Sequence, residues 1–461
     1  MTDARENKYI LSVVVLTSFA GPLLFGAVSI ALPSMARELS MNAIEMGWVT
    51  MVFSLTGAIL ILPFGRLADI YGRKKIFIIG VLINNIAVAI TAFSTSTYML
   101  IAFQFVQGIG FAMIVSTGTA LLISAYPPQQ RGKMLGMMVA AVYLGMALGP
   151  TFGGLLTHNL GWRSIFAPTF ILQIPAIILV FTRIKSEWSE ACGEQFDIIG
   201  SVLLSVMLFC LLYGFSLLPS QSGIWIVVAG IVTFTAFILW ELKVKSPIFS
   251  ISLITGNRLF AFSSLTHFLY YTATFPTTFI MSLYLQYIKG FNSQEAGFIL
   301  LITPVIMASF SPIAGRISDR VQARINVSVA IAVVLVGILL LYAATLHEGL
   351  ISIIIALVLL GFGFAFFTSP NTNAIMSSVD RKHYGIASAT QGTTRNIGIT
   401  FSMSIIMLLF SLYMGSAQIT PEYYEPFVQS IRVAFIIFAG ICVLSIILSA
   451  SRGEVVLKAE K

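Results

Sequence analysis

Short polar stretches cut this chain into fourteen apolar runs, each near the length of about 20 residues that crosses a bilayer as a helix. The runs lie near Ile10–Ala31, Val49–Phe64, Ile76–Phe93, Tyr98–Ala125, Met134–Leu156, Ile165–Thr182, Ile198–Leu218, Ile224–Leu239, Leu259–Tyr287, Phe298–Ile313, Val327–Leu346, Leu350–Ile375, Ile386–Met414 and Ile431–Ala450. None alternates apolar and polar positions as a membrane β-barrel strand must. Each therefore predicts a transmembrane helix, and the chain reads as an all-α polytopic membrane protein. Composition agrees: 57% of residues are hydrophobic and 10% charged, against about 25% charged in a soluble domain.

The cations test this count. With both termini in the cytoplasm, four of the 26 Lys and Arg residues fall in outer loops: Arg37, Arg163, Lys289 and Arg432. Arg395 falls inside a span, and all the others fall in inner loops. That bias holds its alternation through every run, as cytoplasmic retention of Lys and Arg requires. The net charge of +8 is thus a matter of topology, and no nucleic-acid patch is expected. Met1 to Lys8 mixes both charge signs and is not a cleavable leader. Cys192, Cys210 and Cys442 have no metal or disulfide spacing. No cofactor and no metal is expected.

The chain also repeats itself. Gly65-Arg-Leu-Ala-Asp69 returns as Gly315-Arg-Ile-Ser-Asp319, and Gly108-Ile-Gly110-Phe-Ala returns as Gly361-Phe-Gly363-Phe-Ala. Gly132 and Gly385 each open the following span. Two copies of a six-helix unit, related by an axis along the membrane normal, give this pattern. The expected domains are a six-helix bundle over 1–184, a linker with two inserted spans over 185–254, and a second six-helix bundle with a short tail over 255–461.

Small and polar residues within spans mark candidate machinery. Gly145, Gly149 and Gly153 share one helix face and invite close approach of another helix. Gly154 follows, and Pro150 removes a backbone donor and predicts a bend. No Asp or Glu stands in the middle of a run. Arg395 does stand deep in a span, where an always-charged guanidinium needs a partner or a wet cavity. His267 is the titratable candidate for proton carriage. Gln104, Gln107, Asn371, Asn373 and Gln391 are amide candidates for a central cavity, and Tyr270 and Tyr271 for its aromatic wall. Each also has a plainer reading, as a side chain bonded to a neighbouring helix. The sequence holds no Walker-type loop, no HExxH and no nucleophile elbow, so no enzyme activity is expected.

At these residues the chain resembles the major facilitator superfamily, in its fourteen-span drug:proton antiporter branch. Gly65-Arg-Leu-Ala-Asp69-Ile-Tyr-Gly72-Arg73-Lys-Lys resembles its cytoplasmic signature, motif A, and the Gly145–Gly154 stripe its antiporter signature, motif C. Leu32-Pro33, Trp48-Val-Thr, Gly161-Trp162-Arg163 and Phe196-Asp197 fit the same branch. The resemblance implies two rocking six-helix bundles plus two inserted helices. It implies a conformational latch at Gly65, Asp69, Gly72, Arg73 and the repeated Asp319, and a gating helix at motif C. It also implies proton exchange. The branch's acid in span 1 and arginine in span 4 are missing, however, and Leu24 and Gln104 stand in their places.

The expected function is secondary-active export of hydrophobic or amphipathic small molecules by alternating access, coupled to protons, in the cytoplasmic membrane. The alternative is an exporter, facilitator or flippase for an anionic or lipid-like substrate, suggested by Arg395 without an acid. A remoter alternative is a non-transporting membrane receptor, which the short polar stretches disfavour. Expected partners are membrane lipid, a hydrophobic small molecule and protons, and the working unit is a monomer.

Overall fold

The computed structural model describes residues 4–191, 193–244, 255–318, 321–347, 349–379 and 384–453. Its first half holds α1 (Ala4–Leu39), α2 (Ala43–Tyr71), α3 (Arg73–Thr91), α4 (Thr97–Ala125), α5 (Pro128–Leu160) and α6 (Phe166–Arg183). A hairpin follows, α7 (Ile198–Ser216) and α8 (Gln221–Glu241). The second half holds α9 (Arg258–Thr274), α10 (Pro276–Leu283), α11 (Ser293–Leu300), α12 (Ile302–Ser318), α13 (Ala323–His347), α14 (Leu350–Ser377), α15 (Tyr384–Met414) and α16 (Tyr424–Ser451). Among the described residues there is no strand.

Thirteen described helical segments are long and apolar enough to cross a membrane. The run expected as one span over Leu259–Tyr287 is broken instead: α9 ends at Thr274, Pro276 opens α10, and Tyr284–Ile288 is a π turn. Proline at a first helical position costs no internal bond, so the chain restarts there. The next run breaks too, at Leu301, where Pro304 cannot donate to the preceding turn. The helices also overshoot their apolar runs. Residues at both ends of α1 continue the helix, which reaches 36 residues.

The internal repeat extends to the caps. Asn42 and Glu45 form a reciprocal capping box at the start of α2, and Asn292 and Glu295 form the same box at the start of α11. The paired side chains satisfy amides that each helix start leaves open.

Within the first half α1 packs on α5, α2 on α4, and α3 on α4 and α6; in the second half α13 packs on α14 and α16, and α9 on α15 and α16. The α7–α8 hairpin leans on the seam. Ser404 of α15 donates to the Leu212 carbonyl, and Tyr213 meets Trp48 of α2 at 5.1 Å between ring centroids.

Candidate functional site

The two halves are tied together at the end away from the termini. The Ala43 amide donates to the Ala417 carbonyl, and Gln418 donates to the Ser40 carbonyl. Ser282 and Gln286 donate to the Ser29 and Ile30 carbonyls of α1. Ser293 of α11 donates to the Gly154 carbonyl of α5. Several glycines nearer the terminal end stand clear of any neighbour. Gly132 and Gly136 on α5, Gly315 on α12 and Gly392 on α15 have nothing within 4 Å of where a Cβ would stand. The cross-half bonds given above lie at the end away from the termini.

The glycine stripe divides its work across this seam. The position a Cβ would take at Gly145 presses on the Phe19 carbonyl, and at Gly149 it lies 2.8 Å from the Leu23 carbonyl. These glycines, with Gly153 against Ala27, pack α5 on α1 inside one half. Gly154 and the Pro150 carbonyl face the other half, against Ser293 and Gly297 of α11, while the Pro150 ring packs on Gly26 of α1. α5 runs through Pro150 without interruption.

At the seam's centre, four elements converge. Arg395 is half-buried on α15, 11 residues or roughly 17 Å past the start of the helix. It is in electrostatic reach of His267 and Tyr271 on α9 and of Tyr143 on α5. Thr368 on α14 lies in polar reach of both phenols. Among the described residues nothing hydrogen-bonds or ion-pairs with the Arg395 guanidinium, and the ion pairs lie at helix ends and loops. His267 is buried, with Nε2 3.5 Å from the Gln391 amide and Nδ1 3.4 Å from the Thr394 hydroxyl. Gln391 also donates to Thr372 at 2.6 Å. Tyr271 packs edge-on against Phe364, and Tyr270 stacks on Phe367 at 3.6 Å.

A second row of rings crosses the seam. Phe275 lies 5.0 Å from Phe25, Phe25 6.2 Å from Phe53, and Phe53 4.8 Å from Phe111. All four are half-buried. Phe25, Phe53, Gln104 and Gln107 line a void of about 20 Å³, room for a single water.

The remaining amides lie elsewhere. Gln107 donates to Thr91 at 2.6 Å, and Gln173 to Asn84 at 2.8 Å, inside the first half. Asn371 is locked near the terminal end, where it accepts from the buried Arg452 at 2.9 Å and donates to the Ser263 carbonyl. Asn373 is exposed and bonds Ser318. So the structure gathers Arg395, His267, Tyr271 and Gln391 at the centre, and sets Gln107, Asn371 and Asn373 in other contacts. The sequence reading missed Tyr143, Thr368 and the Phe25–Phe53–Phe111 row, which the hydropathy pattern leaves indistinguishable from other span residues.

Motif A is engaged by an unexpected partner. Arg73 donates to Asp69 at 2.8 Å, to Ser124 at 2.6 Å and to Glu190 at 2.8 Å. Glu187 accepts from the Lys74 amide at the start of α3, and its carboxylate sits where a Cβ on Gly72 would stand, 2.6 Å away. Glu194 pairs with Arg66. The acidic stretch after α6 thus straps the motif, a carboxylate at a helix start being favourable. Asp319 lies outside the described residues. If Asp69 and Arg73 act as the latch that the motif A resemblance implies, a Glu187→Gln, Glu190→Gln variant should leave them freer to engage the second half. Exposed pairs are worth about 0.2–1 kcal/mol each, so thiol labelling of Gly136→Cys should slow about 3- to 10-fold. An unchanged rate would make the strap a static brace.

The sequence model of the Major Facilitator Superfamily matches residues 14–403 and 263–455. The chain belongs to this superfamily. It is 26% identical over 453 residues to the riboflavin transporter RibZ of Clostridioides difficile, covering 96% of this chain and 97% of that one. It is 30% identical over 412 residues to the methylenomycin A resistance protein of Bacillus subtilis, covering 87% of each. The POT family transporter PepTSo shares the fold, with a TM-score of 0.71 at 14% identity over 98% of both chains. The chain is therefore a multi-pass membrane protein of a transporter family. Relatives named for drug and antibiotic resistance agree with the exporter-like branch that motif C resembles.

Proposed function

We propose that this protein is a secondary-active exporter of hydrophobic and amphipathic small molecules, working by alternating access in the plasma membrane. The observation that carries this reading is the seam. It is bonded at the end away from the termini, glycines nearer the other end face open space, and both halves supply its polar and aromatic centre. A repeat-related pair of bundles with that geometry has a second state of comparable packing, closed at the terminal end and open at the other. With the termini in the cytoplasm, as the Lys and Arg distribution argues, the open end collects cargo from inside. Resistance-named relatives support the outward direction. Proton exchange belongs to the same reading as the expected coupling, and His267 would be its mid-span carrier.

The test is efflux. Cells producing the protein should retain about 3- to 10-fold less of a fluorescent amphiphile than cells producing a Gly154→Trp variant, whose seam cannot close at the bonded end. Equal retention would count against export. Substrate-driven alkalinisation in proteoliposomes, lost in His267→Gln, would support the proton arm.

A further inference from the structure

We propose that the centre of the seam is a head-group site for an anionic amphiphile of the carboxylate, sulfonate or phosphate class, with Arg395 as its counter-charge. The proposal rests on the export reading and names its cargo.

Charge comes first. Arg395 stands mid-span, half-buried, and among the described residues no group accepts from it. A guanidinium stays charged at any pH a cell meets and is costly inside a bilayer unless an anion or water meets it. Its neighbours offer no negative charge: His267 is an imidazole held between Gln391 and Thr394, and Tyr143 and Tyr271 are phenols. No carboxylate stands in the middle of any run of the sequence. A cation entering here would meet repulsion with nothing to offset it.

Position comes second. Tyr143 belongs to the first half, and Tyr271, Thr368 and Arg395 to the second. An anion bound by the planar guanidinium and the Tyr143 hydroxyl bridges both halves. It therefore interacts differently with states in which the halves move apart, as a cargo that triggers closure must. The ring row from Phe275 through Phe25 and Phe53 to Phe111 supplies a flat apolar wall for the rest of the molecule.

Such a cargo also explains the missing acids. An anion leaving an inside-negative cell is driven by the membrane potential itself. At 100 mV the potential alone would support an outward ratio of roughly 50-fold for a monovalent anion, before any contribution from proton exchange.

The test uses the full chain in phosphatidylcholine vesicles under a potassium-valinomycin potential, with three probes of one ring: pyrenesulfonate, pyrenylmethylammonium and pyrene-labelled phosphatidylglycerol. Pyrenesulfonate flux should follow the potential. Arg395→Gln should lower it about 30-fold or more, and Arg395→Lys about 5-fold, since lysine keeps the charge and loses the fork. Tyr143→Phe should lower it about 3-fold. Binding of pyrenesulfonate to the monodisperse Arg395→Gln protein in detergent separates a lost site from a lost fold, and should weaken by a similar factor. Arg395-dependent movement of the labelled lipid would assign the same head-group chemistry to a membrane source. Flux in Arg395→Gln within about 2-fold of the parent, or preference for the ammonium probe, overturns the anion site and leaves the export reading standing. A parent protein that moves none of the three probes overturns both.

Discussion

A disulfide between Ala43→Cys and Ala417→Cys, made in a chain whose native cysteines are replaced, should lower transport about 100-fold, with recovery on reduction. The Ala43 amide and the Ala417 carbonyl are bonded at 3.4 Å, which brings the two residues into the range a disulfide spans. Ala43 opens α2, and Ala417 lies in the loop after α15. They are separated by most of the chain and belong to opposite halves. If cargo leaves by parting the halves here, a covalent tie leaves only the arrangement seen in this structure, bonded at this end. Binding from the terminal side should survive while flux stops. Undiminished flux in the oxidised protein, with the bond shown by mass spectrometry, would mean that the halves need not part there.

The second large effect separates two glycines on one helix. Gly145→Val drives a side chain onto the Phe19 carbonyl of α1, and both helices belong to the same half. No functional motion relieves that collision. Overpacking of this kind costs about 1–3 kcal/mol, so the ratio of folded to unfolded protein should fall about 10- to 100-fold. Gly154→Val drives a side chain onto the Ser293 carbonyl of α11, across the seam. Here the molecule has an escape, because parting the halves at that end removes the clash. The same energy should then appear as a shift of conformation, about 10- to 100-fold, in a protein that still folds. Thermal denaturation reads the first. Labelling of Ser29→Cys by an impermeant thiol reagent, applied from the side away from the termini, reads the second. Equal loss of folded protein in both variants would remove Gly154 from the gate.

Much of the fold could be read along the chain, and the central site only in part. Arg395 and His267 stood out because charge and titratability are rare inside apolar runs. Tyr143 and Thr368 did not, because one tyrosine or threonine in a span resembles any other. The amides divided for the same reason. Gln391 meets His267 while Asn371 is held by Arg452, and nothing in their flanking residues foretells the difference. The acidic strap was read as a polar linker. Its glutamates reach Arg73 and the start of α3 only because α6 ends beside motif A. The breaks at Pro276 and near Pro304 were signalled by proline, yet the apolar runs continue through them.

The sequence alone determined most of the spans, though not the break in the run over Leu259–Tyr287, together with the repeat and the expected sidedness. Those follow from apolar length and from where cations can rest, and both are properties of the chain against the membrane. Tertiary structure decided which faces of those helices meet. Several of these helices are apolar nearly all round, and such a helix carries little record of its own rotation. Rotation is set by packing with neighbours, by small residues at close approach and by caps and straps at the ends. The placement of Arg395 within electrostatic reach of Tyr143 and Tyr271, without a carboxylate partner, therefore became visible only when α5, α9, α14 and α15 were brought together.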